Sequence, residues 1–423
     1  MTDTPVVTVF LRNRGDVLLL HRSPDVGSYA GLWGTVAGHV EADDPRASAL
    51  AEIAEETGLS EDDVSLVREG PSFPVEDVDR DTRWIVHPFL FETSTRDVTL
   101  NWETTDASWT SPTTLLRRDT VPELWTSYRR VAPSIVQLTD DTTHGSAYLS
   151  LRALEILRDR AALLATTDAP DVEDVRSRLV ATAARLLDAR PSMAAVANRI
   201  HRVMDASGPE PSPASVENQA HAAIERAIDA ETQAARTASD RVAGKRVLTL
   251  SRSGTVREAL QTAEPAPSVL VAESRPGAEG VRVAETLSNT LDVTLIPDAA
   301  VAKILADEPV DLVLVGADTV LPSGTVFNKV GTRGAALAAN REDVPFYATF
   351  AVDKIATDEE AAPGEDADPR SVYEGPAPLQ VSAPRFDTTP GDLVTGFLTD
   401  RGVCEVADAE PIAEEMQRLR HWT

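Results

Sequence analysis

The stretch GHVEADDPRASALAEIAEETGL, from Gly38 to Leu59, combines a glycine loop, a capped helix and several carboxylates. Asp44 is a good N-cap residue, Pro45 suits the first helical position, and Gly58 can adopt the left-handed conformation that ends a helix. The stretch therefore predicts a helix from about Pro45 to Thr57.

The predicted helix has an apolar stripe and an acidic one. The apolar positions share one stripe: Leu50, Ile53, Ala54 and Thr57. The carboxylates, spaced three and four residues apart, share the opposite stripe: Glu52, Glu55 and Glu56. Like charges this close repel, and a hard divalent cation such as Mg²⁺ prefers such oxygen ligands. The pattern indicates a metal site, and a solvated acidic face is the alternative interpretation.

The order of these residues resembles the Nudix hydrolase signature, and Glu52 to Leu59 fits its ending residue for residue. Two positions depart from the signature. Ala51 stands at the position of the family's arginine. Asp43 stands at the position of the family's glutamate, and the loop from Gly38 to Asp43 is one residue shorter than in the family. The resemblance implies an α/β/α sandwich with a mixed sheet, and hydrolysis of a diphosphate linkage.

The same resemblance implies the metal ligands. Glu55 and Glu56 would bind Mg²⁺, with Mn²⁺ as the alternative ion, and Glu52 would be a ligand or the base that deprotonates water. In the family a further glutamate often completes the site. Glu103 is the candidate here, and Glu92 is the second choice.

Two β-rich runs, Val6 to Leu11 and Asp16 to His21, flank a turn and predict a hairpin. Trp84 to Phe91 indicates another strand. Near Arg130 the pattern changes from strands to helices rich in alanine, leucine and arginine. These are Tyr148 to Leu164, Val172 to Leu187, Met193 to Met204 and Val216 to Val242.

From Lys245 onward, short apolar runs alternate with helical patterns, which favours a parallel sheet covered on both faces. The predicted strands are Arg246 to Leu250, Val269 to Ala272, Val293 to Ile296, Leu312 to Val315 and Phe346 to Phe350. Ligands collect beyond the carboxyl ends of such strands. We therefore predict a multidomain α/β protein with an amino-terminal domain (1–135), a helical subdomain (136–243) and a Rossmann-like domain (244–423).

The region from about Val136 to the end resembles the translation initiation factor 2B alpha/beta/delta family, which includes ribose-1,5-bisphosphate and methylthioribose-1-phosphate isomerases. Ordered motifs carry the resemblance: His144-Gly145-Ser146, Arg190 to Ala194, Glu273 to Pro276, Gly316-Ala317-Asp318 with Asn328 to Thr332, and Phe386 to Pro390. The resemblance implies a homo-oligomer formed through the carboxyl-terminal domain.

The isomerases of that family use a cysteine and an aspartate to move a proton between sugar carbons. Asp318 matches the aspartate, and Ser251 stands at the cysteine position. Phosphate binding is predicted from backbone donors at a strand-to-helix turn and from nearby charges. The candidate binding residues are Ser253, Gly254, Thr255, Glu273, Arg275, Asn328, Lys329 and Lys354.

The formal net charge of −28 argues against nonspecific nucleic-acid binding and favours a halophilic source with a salt-rich cytoplasm. One cysteine excludes an intramolecular disulfide. The sequence shows neither a signal-peptide pattern nor an apolar run of membrane-spanning length, so we expect a cytoplasmic protein with no membrane partner. The stretch from Thr357 to Pro384 is acidic and rich in proline and alanine, which indicates a mobile excursion.

The leading hypothesis is a Mg²⁺-dependent Nudix hydrolase of a nucleoside-diphosphate-linked or related phosphorylated metabolite, fused to a domain that binds a sugar phosphate or nucleotide. One alternative is a non-catalytic metabolite sensor or an initiation-factor-2B-like regulatory protein. Another is a ribose-phosphate isomerase that uses Asp318 with a serine in place of the cysteine.

Overall fold

The amino-terminal hairpin orders the first sheet. The computed structural model describes residues 2–41, 44–166, 172–359 and 366–422, so Asp43 lies outside the described residues. Strands β1 (Thr2–Asn13) and β2 (Asp16–Arg22) pair antiparallel, with Asn13 opposite Asp16. Arg14 turns the chain with φ 58°. The predicted hairpin is confirmed.

The first sheet is mixed. Its further strands are β3 (Trp33–Gly34), β4 (Val36–His39), β5 (Val64–Glu69), β6 (Phe73–Asp77), β7 (Thr82–Thr93) and β8 (Thr104–Thr110). Strand β1 pairs parallel with β7 and antiparallel with β2 and β4, while β8 extends the sheet beside β2.

Alternation along β1 directs side chains to two cores. Val7, Val9 and Leu11 pack with Ile53 of α1 (Pro45–Thr57). Phe10 packs in a second core with Leu124 of α2 (Leu124–Val131). Because successive strand residues face opposite sides, the sheet lies between the two helices, and the predicted sandwich is confirmed.

Helix α1 has the predicted bounds. The Asp44 carboxylate accepts from the backbone N–H groups of Arg46 and Ala47, and Gly58 ends the helix with φ 71°. The predicted faces need a correction, because Ala54 is exposed and Glu56 is buried. The sheet therefore covers a face of α1 that includes one of the carboxylates.

The predicted helical stretches are confirmed. The helices are α4 (Ser146–Thr166), α5 (Val172–Ala189), α6 (Ala194–Ala206) and α7 (Pro213–Val242), and a short helix that was not predicted, α3 (Ile135–Asp140), precedes them. The chain divides into two compact units. The first comprises Met1–Gln137, Leu154–Thr182 and Pro211–Ile224, and the second comprises Leu138–Ala153, Ala183–Glu210 and Glu225–Thr423. The domain boundaries at 135 and 243 stay predictions.

The second unit contains the predicted parallel sheet. Its strands are β9 (Arg246–Leu250), β10 (Ser268–Ala272), β11 (Asp292–Ile296), β12 (Leu312–Gly316), β15 (Phe346–Phe350), β17 (Gly396–Thr399) and β18 (Gly402–Cys404). They lie in the order β11-β10-β9-β12-β15-β17-β18, and the last pair is antiparallel. The strand order reverses between β9 and β12, which is where such sheets bind ligands.

Helices cover both faces of this sheet. They are α8 (Gly254–Thr262), α9 (Glu279–Leu287), α10 (Val301–Asp307), α11 (Thr332–Arg341) and α12 (Ala409–Arg418). Leu248 and Val313 face one core, while Val247 and Leu314 face the other. A small antiparallel sheet lies beside the strand ends, made of β13 (Thr319–Val320), β14 (Val326–Lys329) and β16 (Phe386–Thr389).

Residues 366–384 are mostly exposed and contain the short 3₁₀ turn Pro369–Ser371. The mobility predicted from Thr357 to Pro384 stays a prediction, and residues 360–365 of that stretch lie outside the described residues. Within the described ranges, no helix has the length and apolar character needed to cross a membrane.

Candidate functional site

Glu56 is a buried carboxylate at the interface of α1 and the first sheet. Its side chain is 3% exposed, and its Oε1 accepts a hydrogen bond of 2.9 Å from the backbone N–H of Ala37. Burial raises the pKa of Glu56 to about 8, and the charges of Glu52 and Glu103 add to this shift. The Ala37 hydrogen bond and Arg22 oppose it. The surroundings of Glu56 therefore compensate the negative charge of its ionised carboxylate poorly.

Glu52 lies beside the glycine loop. Burial raises its pKa to about 6, and the negative charges of Glu55, Glu103 and Glu41 contribute in that order. A Cβ at Gly38 would lie 1.6 Å from Glu52 Oε1, so the glycine leaves room for this carboxylate. The strand before the loop thus forms a cradle for the Glu52 side chain.

Glu103 belongs to the same electrostatic cluster, since its charge acts on both Glu52 and Glu56. The Asn101 side chain accepts from the Glu103 N–H at 3.0 Å, and the Glu103 carbonyl accepts from the Ser23 N–H at 2.7 Å. These contacts hold the segment that precedes β8. Glu92 instead pairs with Arg12 at 3.3 Å. Of the two candidates, Glu103 therefore has the surroundings expected of a ligand.

Ser48 and Asp44 brace the glycine loop. The Ser48 hydroxyl accepts from the Glu41 N–H at 2.9 Å and donates to the Asp44 carbonyl at 2.9 Å. Ala51, which stands at the arginine of the Nudix signature, is exposed. Sequence reasoning missed Ser48, although a hydroxyl one turn after an N-cap aspartate is a recognisable local signal.

The donor chemistry of this cluster fits a hard divalent cation. Among the described residues, no three His, Cys, Asp or Glu side chains already form a metal-binding group. An added cation relieves the repulsion among neighbouring carboxylates, and Mg²⁺ and Mn²⁺ prefer such oxygen ligands. The Glu52 cradle at Gly38 and the buried Glu56 carboxylate both suit that chemistry.

In the second unit, the predicted catalytic residues follow the carboxyl ends of β9 and β12, where the reversal of strand order in such a sheet leaves a crevice. Ser251 follows β9 with φ 67°, and its N–H donates to Ser274 Oγ at 2.6 Å. A Cβ at Gly316 would lie 2.8 Å from Ser253, so the turn after β9 approaches the end of β12 closely. The Asp318 N–H donates to the Phe327 carbonyl at 3.0 Å. Ser251 and Asp318 thus follow neighbouring strands.

The predicted basic residues are engaged with nearby partners. Lys329 is buried and pairs with Glu279 at 2.9 Å. Arg275 is exposed and pairs with Glu273 at 3.2 Å, although both are predicted to bind substrate. The buried Lys354 ammonium donates to the Ala317 carbonyl at 3.0 Å. These contacts position the cations around the strand ends.

The uncharged residues predicted to bind substrate differ in how accessible they are to a ligand. Thr255 donates to Glu231 at 2.7 Å, and Asn328 donates to Thr332 at 3.1 Å. Ser253 caps α8 by accepting from the Val256 N–H. Gly254 is exposed, with open space where a side chain would be. The start of α8 is therefore open to a ligand, whereas Thr255 faces α7.

A buried ionic network in the second unit was missed from the sequence. Arg199, 1% exposed, contacts Asp353 at 3.1 Å and Glu231 at 3.4 Å. Burial opposes ionisation of Asp353, but Arg199 and Arg202 outweigh it and lower the pKa of that carboxyl group. The partners come from α6, α7 and the turn after β15. No short-range pattern identifies such a network.

Together these features define a multidomain α/β protein with two candidate sites for phosphorylated ligands. The chain belongs to the Initiation factor 2 subunit family, whose model matches residues 142–406, and it carries a NUDIX domain at residues 2–131. Both predicted family resemblances and the predicted fold class are confirmed. The NUDIX domain supports a hydrolase.

Similar proteins include methylthioribose-1-phosphate isomerases. That of Heliobacterium modesticaldum is 40% identical over 147 residues, which cover 32% of this chain and 43% of the relative. That of Exiguobacterium sibiricum is 33% identical over 202 residues, which cover 42% of this chain and 58% of the relative. The chain thus spans about half the length of these curated relatives.

Two solved structures share the fold. The translation initiation factor eIF-2B of Pyrococcus horikoshii OT3 has a TM-score of 0.55 at 21% identity, covering 64% of this chain and 95% of that one. The 5-methylthioribose 1-phosphate isomerase of the same organism has a TM-score of 0.54 at 20% identity, and the match covers 74% of this chain and 90% of that one.

Proposed function

We propose that this protein is a Mg²⁺-dependent hydrolase of a nucleoside-diphosphate-linked or related phosphorylated metabolite. The observation that carries the proposal is the carboxylate cluster of Glu52, Glu56 and Glu103, in which the charge of Glu103 opposes ionisation of Glu52 and Glu56, and the charge of Glu52 opposes ionisation of Glu56. A cation would relieve that repulsion. A substrate diphosphate needs the same cation to neutralise its own charge.

Each carboxylate has a role in this proposal. Glu55, Glu56 and Glu103 would hold Mg²⁺ or Mn²⁺, and Glu52 would be a ligand or the base that accepts a proton from water. The bound ion would supply charge neutralisation at the phosphoryl oxygens. Glu52 suits the base role because a raised pKa of about 6 lies near the operating pH of such enzymes.

The second unit would bind a sugar phosphate or nucleotide. The open start of α8 at Gly254, with Arg275, Lys329 and Lys354 around the same strand ends, supports phosphate binding. A second candidate function is sugar-phosphate isomerisation with Asp318 and Ser251. The identity of 40% with a methylthioribose-1-phosphate isomerase over part of the chain favours it.

Further assignments belong to the same proposal. The domains would be 1–135, 136–243 and 244–423, and copies would associate through the carboxyl-terminal domain. Small phosphorylated metabolites would be the ligands, and the cytoplasm the compartment. A metabolite sensor or an initiation-factor-2B-like regulator is the alternative without catalysis.

The proposal is tested by screening nucleoside diphosphate sugars, dinucleotides and nucleoside triphosphates at high salt, with and without Mg²⁺. We expect Mg²⁺-dependent hydrolysis that falls about 100-fold or more in Glu56→Gln, the scale on which loss of one electrostatic stabiliser slows an enzyme. Glu61→Gln, an exposed change just beyond α1, is the matched control and should retain full activity. Hydrolysis that persists in Glu56→Gln would contradict the assigned site, and silence of the folded parent across the panel would favour the sensor.

A further inference from the structure

The loop between α3 and α4 lies against the proposed catalytic aspartate of the second unit. A Cβ at Gly145 would lie 3.6 Å from Asp318 Oδ1, so the loop backbone approaches this carboxylate closely. The residue before Gly145 is His144, which places an imidazole side chain in this loop. Its side chain is 43% exposed.

His144 is oriented by a carboxylate. Its Nδ1 lies 2.7 Å from Asp141 Oδ2, and the backbone N–H groups of Thr143 and His144 donate to Asp141 Oδ1. Because an ionised carboxylate only accepts, Nδ1 donates to Asp141, and Nε2 is the ring nitrogen left for a ligand. The ring stacks on Tyr148 at 4.1 Å between centroids, which fixes its plane.

Three arginines hold the loop in this position. Arg385 donates to the Thr142 carbonyl at 2.7 Å, Arg190 donates to the Asp141 carbonyl, and Arg252 donates to the Thr143 carbonyl. Arg252 directly follows Ser251. The loop is therefore attached to the turn that carries Ser251 as well as lying beside Asp318.

An isomerase that uses Ser251 needs another acid–base group. A serine hydroxyl does not ionise near neutral pH without a positioned base, whereas a thiol does so much more readily. Histidine is the side chain that most often supplies such a base, and a carboxylate partner stabilises its charged form. The Asp141–His144 pair provides that chemistry in the loop whose Gly145 approaches Asp318.

We propose that His144, oriented by Asp141, is the catalytic acid–base group that works with Asp318 in this crevice. The inference rests on the isomerase candidate for the second unit. In an aldose 1-phosphate, whose O1 carries the phosphate, the imidazolium of His144 protonates the ring oxygen O4 as the C1–O4 bond breaks, while Asp318 removes the C2 proton and the C2–H electron pair forms the C1–C2 double bond. The neutral imidazole then takes the O2 proton while Asp318 returns its proton to C1, which yields the ketose without an oxidant or reductant.

The full chain is tested with methylthioribose 1-phosphate and ribose 1,5-bisphosphate, following product formation and, in D₂O, exchange of the C2 hydrogen by NMR. We expect His144→Gln to lower kcat by about 10²–10⁴-fold, the range of general acid–base catalysis, with little change in KM. Asp141→Asn should lower kcat by about 10–100-fold, because it acts by orienting the ring. Asp140→Asn, an exposed carboxylate change in the adjoining helix, is the matched control and should behave like the parent.

A kcat of His144→Gln equal to that of the parent, or a change confined to KM, would overturn the inference while leaving the isomerase candidate intact. If the folded parent neither isomerises nor exchanges C2 hydrogen with either substrate, both the inference and the isomerase candidate fail. The hydrolase proposal is tested separately, by comparing the Mg²⁺-dependent hydrolysis of the parent with that of Glu56→Gln.

Discussion

Gly38 determines where the Glu52 carboxylate can lie. An added methyl group would meet Glu52 Oε1 at 1.6 Å and Cδ at 2.0 Å, so the flexible carboxylate would have to rotate away. We predict that Gly38→Ala lowers hydrolysis about 100-fold, since small misplacements of catalytic groups have effects of this size. Its thermal unfolding midpoint should change little. Steady-state kinetics and calorimetry measure the two quantities.

Gly34→Ala is the matched control, because its new methyl group would have only ordinary contacts at 3.7 Å and 3.8 Å. Equal losses of activity in the two variants would contradict a specific role for the space at Gly38.

His201 makes part of the stability dependent on pH. Its Nδ1 accepts from Trp422 Nε1 at 2.9 Å, and burial followed by the charge of Arg420 lowers the pKa of His201 to about 4. The folded pKa lies below the ordinary histidine value of about 6.5, so this stability is present above that pH and is lost as pH falls toward 4. We predict a smaller acid-induced loss of stability in His201→Gln.

The measurement compares denaturation midpoints of the parent and His201→Gln at neutral and mildly acidic pH. Their difference should shrink or reverse on acidification. Parallel pH curves for the two proteins would rule out His201 as the titrating group.

At the scale of elements, Gly280 allows α9 to pack against β10. A Cβ there would lie 1.9 Å from the Ala272 carbonyl oxygen, and strand backbone cannot move aside as a side chain can. We predict that Gly280→Ala destabilises the protein by about 3 kcal/mol, at the upper end of overpacking effects. Urea unfolding followed by circular dichroism measures this change.

Gly334 provides the comparison within α11, where an added Cβ would have open space. Gly334→Ala should stabilise the protein by about 0.5–1 kcal/mol, because alanine loses less conformational entropy in a helix. Destabilisation of similar size in both variants would mean that close packing at Gly280 is not the cause.

The elements differ in how far the sequence predicted them. Helix α1 was predicted to the residue, because Asp44, Pro45 and Gly58 act on backbone groups within a few positions. Strands β9, β10, β11, β12 and β15 of the second unit were predicted from short apolar runs, whereas β17 and β18 were not predicted. The exposure of Ala54 and the burial of Glu56 were not predicted, because the face that a helix buries depends on the sheet packed against it.

At the scale of the whole molecule, the net charge of −28 sets the response to salt. Repulsion among like surface charges destabilises the compact state, and salt screens it. We predict that the unfolding temperature at neutral pH rises when KCl is increased from about 0.1 M toward about 1 M, over which the screening length falls from about 10 Å to about 3 Å. Differential scanning calorimetry measures the shift.

Sucrose at matched osmolality is the control, because it stabilises proteins by exclusion from their surface without screening charge. An unfolding temperature that responds equally to sucrose and KCl would contradict the electrostatic explanation and the halophilic interpretation of the composition.

The sequence by itself determined the local elements, the order of the two domain types and the candidate residues, since these depend on neighbours along the chain and on recognisable motifs. Tertiary structure alone decided that the Ala37 N–H faces Glu56, that Glu103 approaches Glu52, and that Gly145 lies beside Asp318. Burial and the field of distant charges set the pKa of a carboxyl group, and both arise only when the chain has folded.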